Sequence, residues 1–274
     1  MRSDLTICLM DTATGEVVRT LGKAEGPMTA PAVFTPDGRL LVTAVRELVQ
    51  VWEVATGGEL ASRPGHRGNV DVLVMSGNGR SVATVSRDHT ILVWDLTRLS
   101  TGVLPKAPLT PAQLESAWKD STSSNAALGR RAVETLSADP AQAVPLFRER
   151  LVPVKSPDSK QVARWIADLS SDEFEQRRLA TDHLERLGEL AGPALRAALA
   201  AEPPLEAHRR IIALLAKLRP TVLPPEALRG VRGVQVLEMI VNPQARKVLA
   251  VLAAGAAGAR LTQEAQGSLE RLAR

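Results

Sequence analysis

Apolar and polar residues alternate through the stretch from Gly65 to Asp95, in runs from Val70 to Met75 and from Ser81 to Val85, and a third apolar run covers Ile91 to Trp94. A period of two predicts strands, and the Gly/Asn and Arg/Asp/His clusters between the runs carry tight-turn chemistry, so the stretch predicts a three-strand antiparallel meander. Val, Thr and Ile are concentrated in these runs, as strands packed against neighbouring sheets require. Beyond Thr110 the period changes. Val162, Trp165, Ile166 and Leu169, then Ile211, Leu214, Leu215 and Leu218, then Val248, Leu249 and Leu252 recur at spacings of three and four, which places each set on one face of a helix.

The strand pattern recurs along the chain. Met10-Asp11, Trp52-Glu53 and Trp94-Asp95 stand 42 residues apart, each after an apolar run, and Thr14-Gly15 and Thr56-Gly57 follow at a common offset. Phe34 to Arg39 (FTPDGR) and Met75 to Arg80 (MSGNGR) are equivalent first-hairpin turns. Asp4, Thr6 and Ile7 match Asp88, Thr90 and Ile91, so the first residues fall inside a repeat. A period of this length belongs to blade-type or solenoid repeats.

With Trp94-Asp95 at its end, the best-formed repeat resembles a WD40 repeat of a β-propeller. The resemblance implies that His66, Thr84, Asp88 and Trp94, which stand at the matching spacings, form one hydrogen-bonded chain, a structural tetrad and not a catalytic acid/base pair. The chemistry agrees, because a buried indole and hydroxyl need partners and a carboxylate can hold an imidazole. The preceding repeat departs from the pattern: Arg46 occupies the Asp position, and no His stands between Gly22 and Gly26.

The expected architecture is therefore multidomain, β followed by α. Residues 1–104 form a partial WD40 β-propeller of about 2.5 blades, 105–110 a linker and 111–274 an α-helical, HEAT-like domain. Propellers usually close with about 4 to 8 blades, and open ends would leave unpaired or apolar sheet surface. Three explanations compete: a protein lacking its N-terminal part, completion of the propeller by another chain, and a decayed gene. The first is favoured. Thr101 to Leu104 is either the outer strand of the last blade or linker.

The helical part is punctuated by caps. Thr110-Pro111 with Gln113, Asp139-Pro140 with Gln142, Asp172 with Glu175, and Asn242-Pro243 each read as a helix start. Helices are expected near 111–119, 123–137, 140–150, 158–169, 172–187, 190–200, 205–218, 225–241, 243–254 and 262–273. Gly188, Gly192-Pro193 and Asn242-Pro243 mark short connections between antiparallel neighbours. Arg177 to Leu199 and Val234 to Ala254 each resemble a HEAT-type helix pair. The whole order, blades and then a helical tail beginning PLTPAQLE, resembles the C-terminal part of large WD40 proteins of planctomycete-type bacteria. That resemblance implies a scaffold or regulatory protein without a reaction of its own in this part. Family members carry a full propeller upstream, sometimes behind a kinase or sigma-factor-like region.

Composition and charge narrow the chemistry. The lone cysteine, Cys8, excludes an intramolecular disulfide and a cysteine-based zinc site. No apolar run approaches the roughly 18 residues of a membrane helix, so the expected setting is cytoplasmic, with no membrane partner. Phosphate-loop, dinucleotide, zincin and nucleophile-elbow motifs are absent. Ser116 and Lys119 satisfy S-x-x-K, a chance match on a predicted helix. His183 and His208 lack a second ligand at metal spacing, so no metal or cofactor is expected and the chain does not read as an enzyme. Phe34, Trp52, Trp118, Phe147, Trp165 and Phe174 are expected in the core.

The net charge of +4 resides in the helical half, because residues 1–108 balance 11 basic against 11 acidic side chains. Arg130-Arg131, Arg177-Arg178 and Arg209-Arg210 are candidate phosphate contacts. Their interleaving with acids, and the lack of an aromatic platform, favours a solvated helix face, so nucleic acid is disfavoured as a partner and stands as the alternative reading. Protein partners are expected instead, with self-association or completion by further blades among the options. The loops bearing Arg46, Arg67, Asn69 and Arg87 are the candidate contact surface, suited to acidic or phosphorylated segments.

Overall fold

A computed structural model describes residues 6–10, 17–23, 31–97, 99, 103–218 and 223–273. Its described strands form three small antiparallel sheets. The first pairs β1 (Thr6–Met10) with β2 (Val17–Lys23); the middle sheet runs β3 (Ala32–Phe34), β4 (Leu40–Val45), β5 (Leu48–Glu53), β6 (Glu59–Pro64); the third runs β7 (Val70–Met75), β8 (Ser81–Ser86), β9 (Ile91–Asp95). Asp4, Thr14, Gly15 and the stretch 24–26 lie outside the described residues, as do Thr101 and Gly102; Val103 and Leu104 are not in a strand.

The turns show why the repeat folds as it does. In the middle sheet Asp37 accepts from the Thr35 hydroxyl (2.5 Å) and the Arg39 N–H (3.0 Å), with Gly38 at φ 69°. In the third, Asn78 accepts from the Ser76 hydroxyl (2.9 Å) and the Arg80 N–H (3.0 Å), with Gly79 at φ 68°. An Asx side chain bonded to its own turn, followed by a residue that takes positive φ freely, is the local signal for each β-hairpin.

The sheets stack face to face. Ile7 and Leu9 of β1 pack on Leu21, Leu41 and Trp52. The opposite face of the middle sheet, with Val42, Ala44, Val49 and Val51, receives Leu73, Met75, Val82 and Trp94 of the third. Each indole lies on a glycine: a Cβ at Gly22 would stand 2.8 Å from Trp52, and one at Gly65 2.4 Å from Trp94.

Ten α-helices follow among the described residues: α1 (Pro111–Asp120), α2 (Ala126–Ser137), α3 (Pro140–Arg150), α4 (Ser159–Asp168), α5 (Phe174–Leu187), α6 (Gly192–Ala200), α7 (Leu205–Lys217), α8 (Pro225–Ile240), α9 (Pro243–Ala253) and α10 (Arg260–Ala273), with a 3₁₀ turn Gly188–Ala191 between α5 and α6. The Thr110/Gln113 capping box is formed, and Asn242 accepts from the Ala245 N–H at 2.7 Å. Asp172 does not cap. The helix starts two residues later, at Phe174, where the N-cap Glu173 makes no side-chain cap bond and Glu175 pairs instead with Arg178. Phe34 and Phe174 are exposed, contrary to the expected burial, whereas Trp52, Trp118 and Phe147 are buried. Phe34 stands on the short strand β3 and Phe174 in the first turn of its helix, where Arg177 lies over its ring.

The chain forms two compact units that do not follow the change from strand to helix at 105–110. One comprises Met1–Leu146 and Thr221–Ile240, the other Phe147–Pro220 and Val241–Arg274. The expected helix pair Val234 to Ala254 is thereby divided: α8 belongs to the first unit, while α9 packs with α10 in the second. In the second unit, Val162, Leu169, Leu184, Leu195, Ile211 and Leu214 build one core from α4 to α7.

In the first unit, helices α2 and α8 pack on each other and α2 reaches strand β6. Arg232 of α8, fully buried, donates from Nε and Nη2 to the two oxygens of Glu53 (2.9 and 2.7 Å) and from Nη1 to the carbonyls of Ser121 and Ser123 (2.9 and 2.7 Å). Gly129 makes room for it, since a Cβ there would meet the guanidinium at 2.0 to 2.3 Å. Arg39 reaches Glu238 at 2.7 Å. The chain leaving β9 is held by α2: Glu134 accepts from the Leu99 N–H (3.0 Å) and Arg130 donates to the Thr97 carbonyl (3.1 Å). Asp139, buried before α3, takes the Leu109 N–H at 2.8 Å.

Candidate functional site

The loop end of the third sheet is organised by the four residues singled out above. Trp94 Nε1 donates to Thr84 Oγ1 at 2.9 Å, Thr84 Oγ1 lies 2.7 Å from His66 Nε2, and His66 Nδ1 lies 2.9 Å from Thr90 Oγ1 and 3.3 Å from Asp88 Oδ2. Donor counting sets the direction. Thr84 accepts from the indole, and of the two acceptors in reach of its one proton Nε2 at 2.7 Å is nearer than the Leu92 carbonyl at 3.4 Å; with the proton directed to Nε2, Nδ1–H faces Thr90 and Asp88, and the Thr90 hydroxyl donates to Asp88 at 2.6 Å. Thr90 is a member of this network that the sequence pattern did not single out, although its place two residues after Asp88 is the usual reach of an Asx turn.

The Thr90 hydroxyl, and after it the Arg67 N–H at 2.6 Å, hold the Asp88 carboxyl well below the usual carboxylate range. Both imidazole nitrogens are occupied within the fold, so neither is left to accept a proton from a substrate. A general base needs a free lone pair within reach of its target. Among the described residues no group of three or more His, Cys, Asp or Glu could hold a metal ion, and no helix is long and apolar enough to cross a membrane.

What the network positions is three loops. Asp88 holds the Arg67 N–H; the Ser86 hydroxyl donates to the Gly68 carbonyl (2.9 Å); the Arg87 N–H donates to the Asn69 carbonyl (3.0 Å), and the Val70 N–H to the Arg46 carbonyl (2.8 Å). Arg46, Arg67, Asn69 and Arg87 are thus brought to one end of the middle and third sheets, all exposed. They are not equivalent. The Arg87 Nε stands 3.1 Å from both oxygens of Asp71, so its charge is already matched. Arg46 sits at φ 55° in the turn between β4 and β5, beside Glu47.

The middle sheet retains only part of the network. Trp52 Nε1 donates to Thr43 Oγ1 at 2.9 Å, as Trp94 does to Thr84. The β4–β5 turn holds just Arg46 and Glu47, with Val45 paired to Leu48, so it has no counterpart to Asp88 and Thr90.

Comparison with known proteins agrees with this geometry. Residues 57–95 match the family model "WD domain, G-beta repeat". The chain is similar to pre-mRNA-processing factor 19 of Oryza sativa subsp. japonica (35% identical over 98 residues, 35% of this chain and 18% of that protein). It is also similar to a WD repeat-containing protein of Synechocystis sp. (40% over 136 residues, 34% and 39%) and to the target of rapamycin complex subunit LST8 of Saccharomyces cerevisiae (34% over 95 residues, 34% and 31%). The chain therefore spans between 18% and 39% of the length of these three relatives. These similarities support the WD40 repeat family for the N-terminal sheets.

Proposed function

We propose that the protein is a non-catalytic protein-interaction scaffold, and that the loop end carrying Arg46, Arg67, Asn69 and Arg87 is its contact face. The observation that carries this reading is the contrast between backbone and side chains there. Asp88 of the network holds the Arg67 N–H, and the Ser86 hydroxyl and the backbone N–H groups of Arg87 and Val70 tie down Gly68, Asn69 and Arg46, while the side chains these loops present are exposed. A face ordered before binding loses little conformational entropy when a partner docks. The WD40 similarity supports the same reading, one of the relatives being named as a subunit of a complex.

A partner segment bearing carboxylates or phosphates would meet Arg46 and Arg67 first, with Arg87 competing against Asp71 for its own charge. The α4–α7 core, whose consecutive helices share one apolar interior, is read as a HEAT-like stack that adds a second surface. Nucleic acid is the weaker reading. Arg130 is buried on Glu134 and backbone carbonyls, while Arg177, Arg178 and Arg210 are bonded to groups of their own helices or caps. The test is the triple replacement of Arg46, Arg67 and Arg87 by Ala, compared with the wild-type chain for the partners each retains from its native cells. Selective loss of a partner is expected, and an unchanged set would overturn the assignment of the face.

A further inference from the structure

The three sheets stack with a fixed polarity, and among the described residues both ends of the stack present exposed side chains. Each sheet has two distinct faces. One carries the tryptophan position of the repeat: Met10 in the first sheet, Trp52 in the middle, Trp94 in the third. The other carries small and β-branched residues. In the middle sheet this second face is Val33, Val42, Ala44, Val49 and Val51, and it lies beneath the tryptophan face of the third sheet. In the first sheet it is Ile7 and Leu9, beneath the tryptophan face of the middle sheet.

The repeat places Val74, Ala83, Val85, Ile91 and Val93 of the third sheet at the positions of Val33, Val42, Ala44, Val49 and Val51. All five positions remain apolar; burial is not preserved. Val51 is 4% exposed and Val93 72%, Val49 3% and Ile91 67%. A contiguous apolar face of this kind marks an association surface. At the other end of the stack the tryptophan-type face of the first sheet, with Cys8, Met10 and Val17, is also exposed.

We propose that a second copy of this chain covers the open face of the third sheet, seating the first sheet's Cys8, Met10 and Val17 face on Val74, Val85, Ile91 and Val93. The contact continues the stacking already made twice within one chain, and each copy supplies one half of it at either end. Such an interface is heterologous, head to tail, so copies add in sequence until a ring closes or a chain of copies grows. It is independent of the loop face assigned above, which lies at the ends of the strands and not on the face of a sheet.

Light scattering and sedimentation velocity on the full chain, over a wide range of concentration, test this. The wild type is expected above the monomer mass of 29.3 kDa, rising with concentration. Met10→Glu and Val93→Glu, both at exposed positions, are each expected to be monomeric alone with an unchanged circular dichroism spectrum. Mixed together they should give two-chain species and nothing larger, because the mixture contains one intact pair of faces and one blocked pair. Ile91→Lys replaces Val93→Glu if the latter fails to fold. A wild type that stays monomeric throughout overturns the proposal. So does self-association of Met10→Glu alone, which would mean that third sheets pack on each other.

Discussion

The middle and third sheets are built from one repeat and held in opposite ways. The middle sheet has lost the Asp and His of the polar network, yet it is buried on both faces, and Glu53 at the end of β5 is clamped by Arg232. The third sheet keeps the whole network from Trp94 to Asp88, but leaves one face open. Burial and helix contacts stabilise the first; a local chain of hydrogen bonds organises the second. Conserving the backbone pattern of a repeat therefore does not conserve the interactions that hold it, because neighbours decide which of its groups are desolvated.

The largest effect is expected where the middle sheet is clamped. Arg232→Met leaves the Glu53 carboxylate buried without its counter-charge, held by the Thr56 hydroxyl at 2.6 Å, and should cost about 3 to 5 kcal/mol, and adding Glu53→Gln should recover part of it. Urea denaturation of the single and double variants measures this; a single variant as stable as the wild type would remove the contrast between the sheets. Gly129→Ala should act in the same direction, because its Cβ would displace the guanidinium.

The hydroxyls of the two sheets come next. Thr84→Val strands both the Trp94 N–H and an imidazole nitrogen, and should cost about 1 to 3 kcal/mol. Thr43→Val strands only the Trp52 N–H and should cost less. Equal losses in parallel denaturation curves would show that the extended network adds nothing beyond the indole bond.

Acid should then separate the carboxylates that the fold uses from those it leaves in solvent. The Leu109 N–H, followed by Gln142, lowers the Asp139 carboxyl below its ordinary value. Its contribution is present above the unfolded carboxylate pKa of about 3.9 and is lost as pH falls through the lower folded value. Wild type and Asp139→Asn should differ most in stability at neutral pH and converge through that acid range, as followed by thermal melts. A constant difference would sink this assignment. The smallest effect belongs to the exposed pair Arg87–Asp71: Arg87→Ala should change stability by no more than about 0.5 kcal/mol while weakening partner binding at the loop face.

Much of this is legible in the amino-acid sequence. The matched hairpin turns at Asp37 and Asn78 and the caps at Thr110 and Asn242 express hydrogen bonds made within a few residues, so residue type and spacing are enough to reveal them, and the 42-residue recurrence of Met10, Trp52 and Trp94 marks the repeat. His66 meets Thr84 and Thr90 across 18 and 24 positions, where the resemblance to a repeat family, and not local spacing, points to the residues. Asp172 failed as a cap because a serine beside it, Ser171, takes the Glu173 N–H at 3.2 Å and the helix begins later. Local signals compete within a turn, and a pattern shows all the competitors at once.

What the sequence by itself determined is the repeat, its turns, the helices and most of their starts. Only the tertiary structure decided that α8 joins the first unit, that Arg232 finds Glu53 across 179 positions of sequence, and that one face of the third sheet lies open while its counterpart in the middle sheet is covered. The physical reason is the range of the interactions. Backbone hydrogen bonds and side-chain periodicity are set by near neighbours, whereas the partner of a buried charge or the cover of an apolar face is set by which distant surfaces meet, and nothing in the spacing of residues along one helix or one strand records that choice.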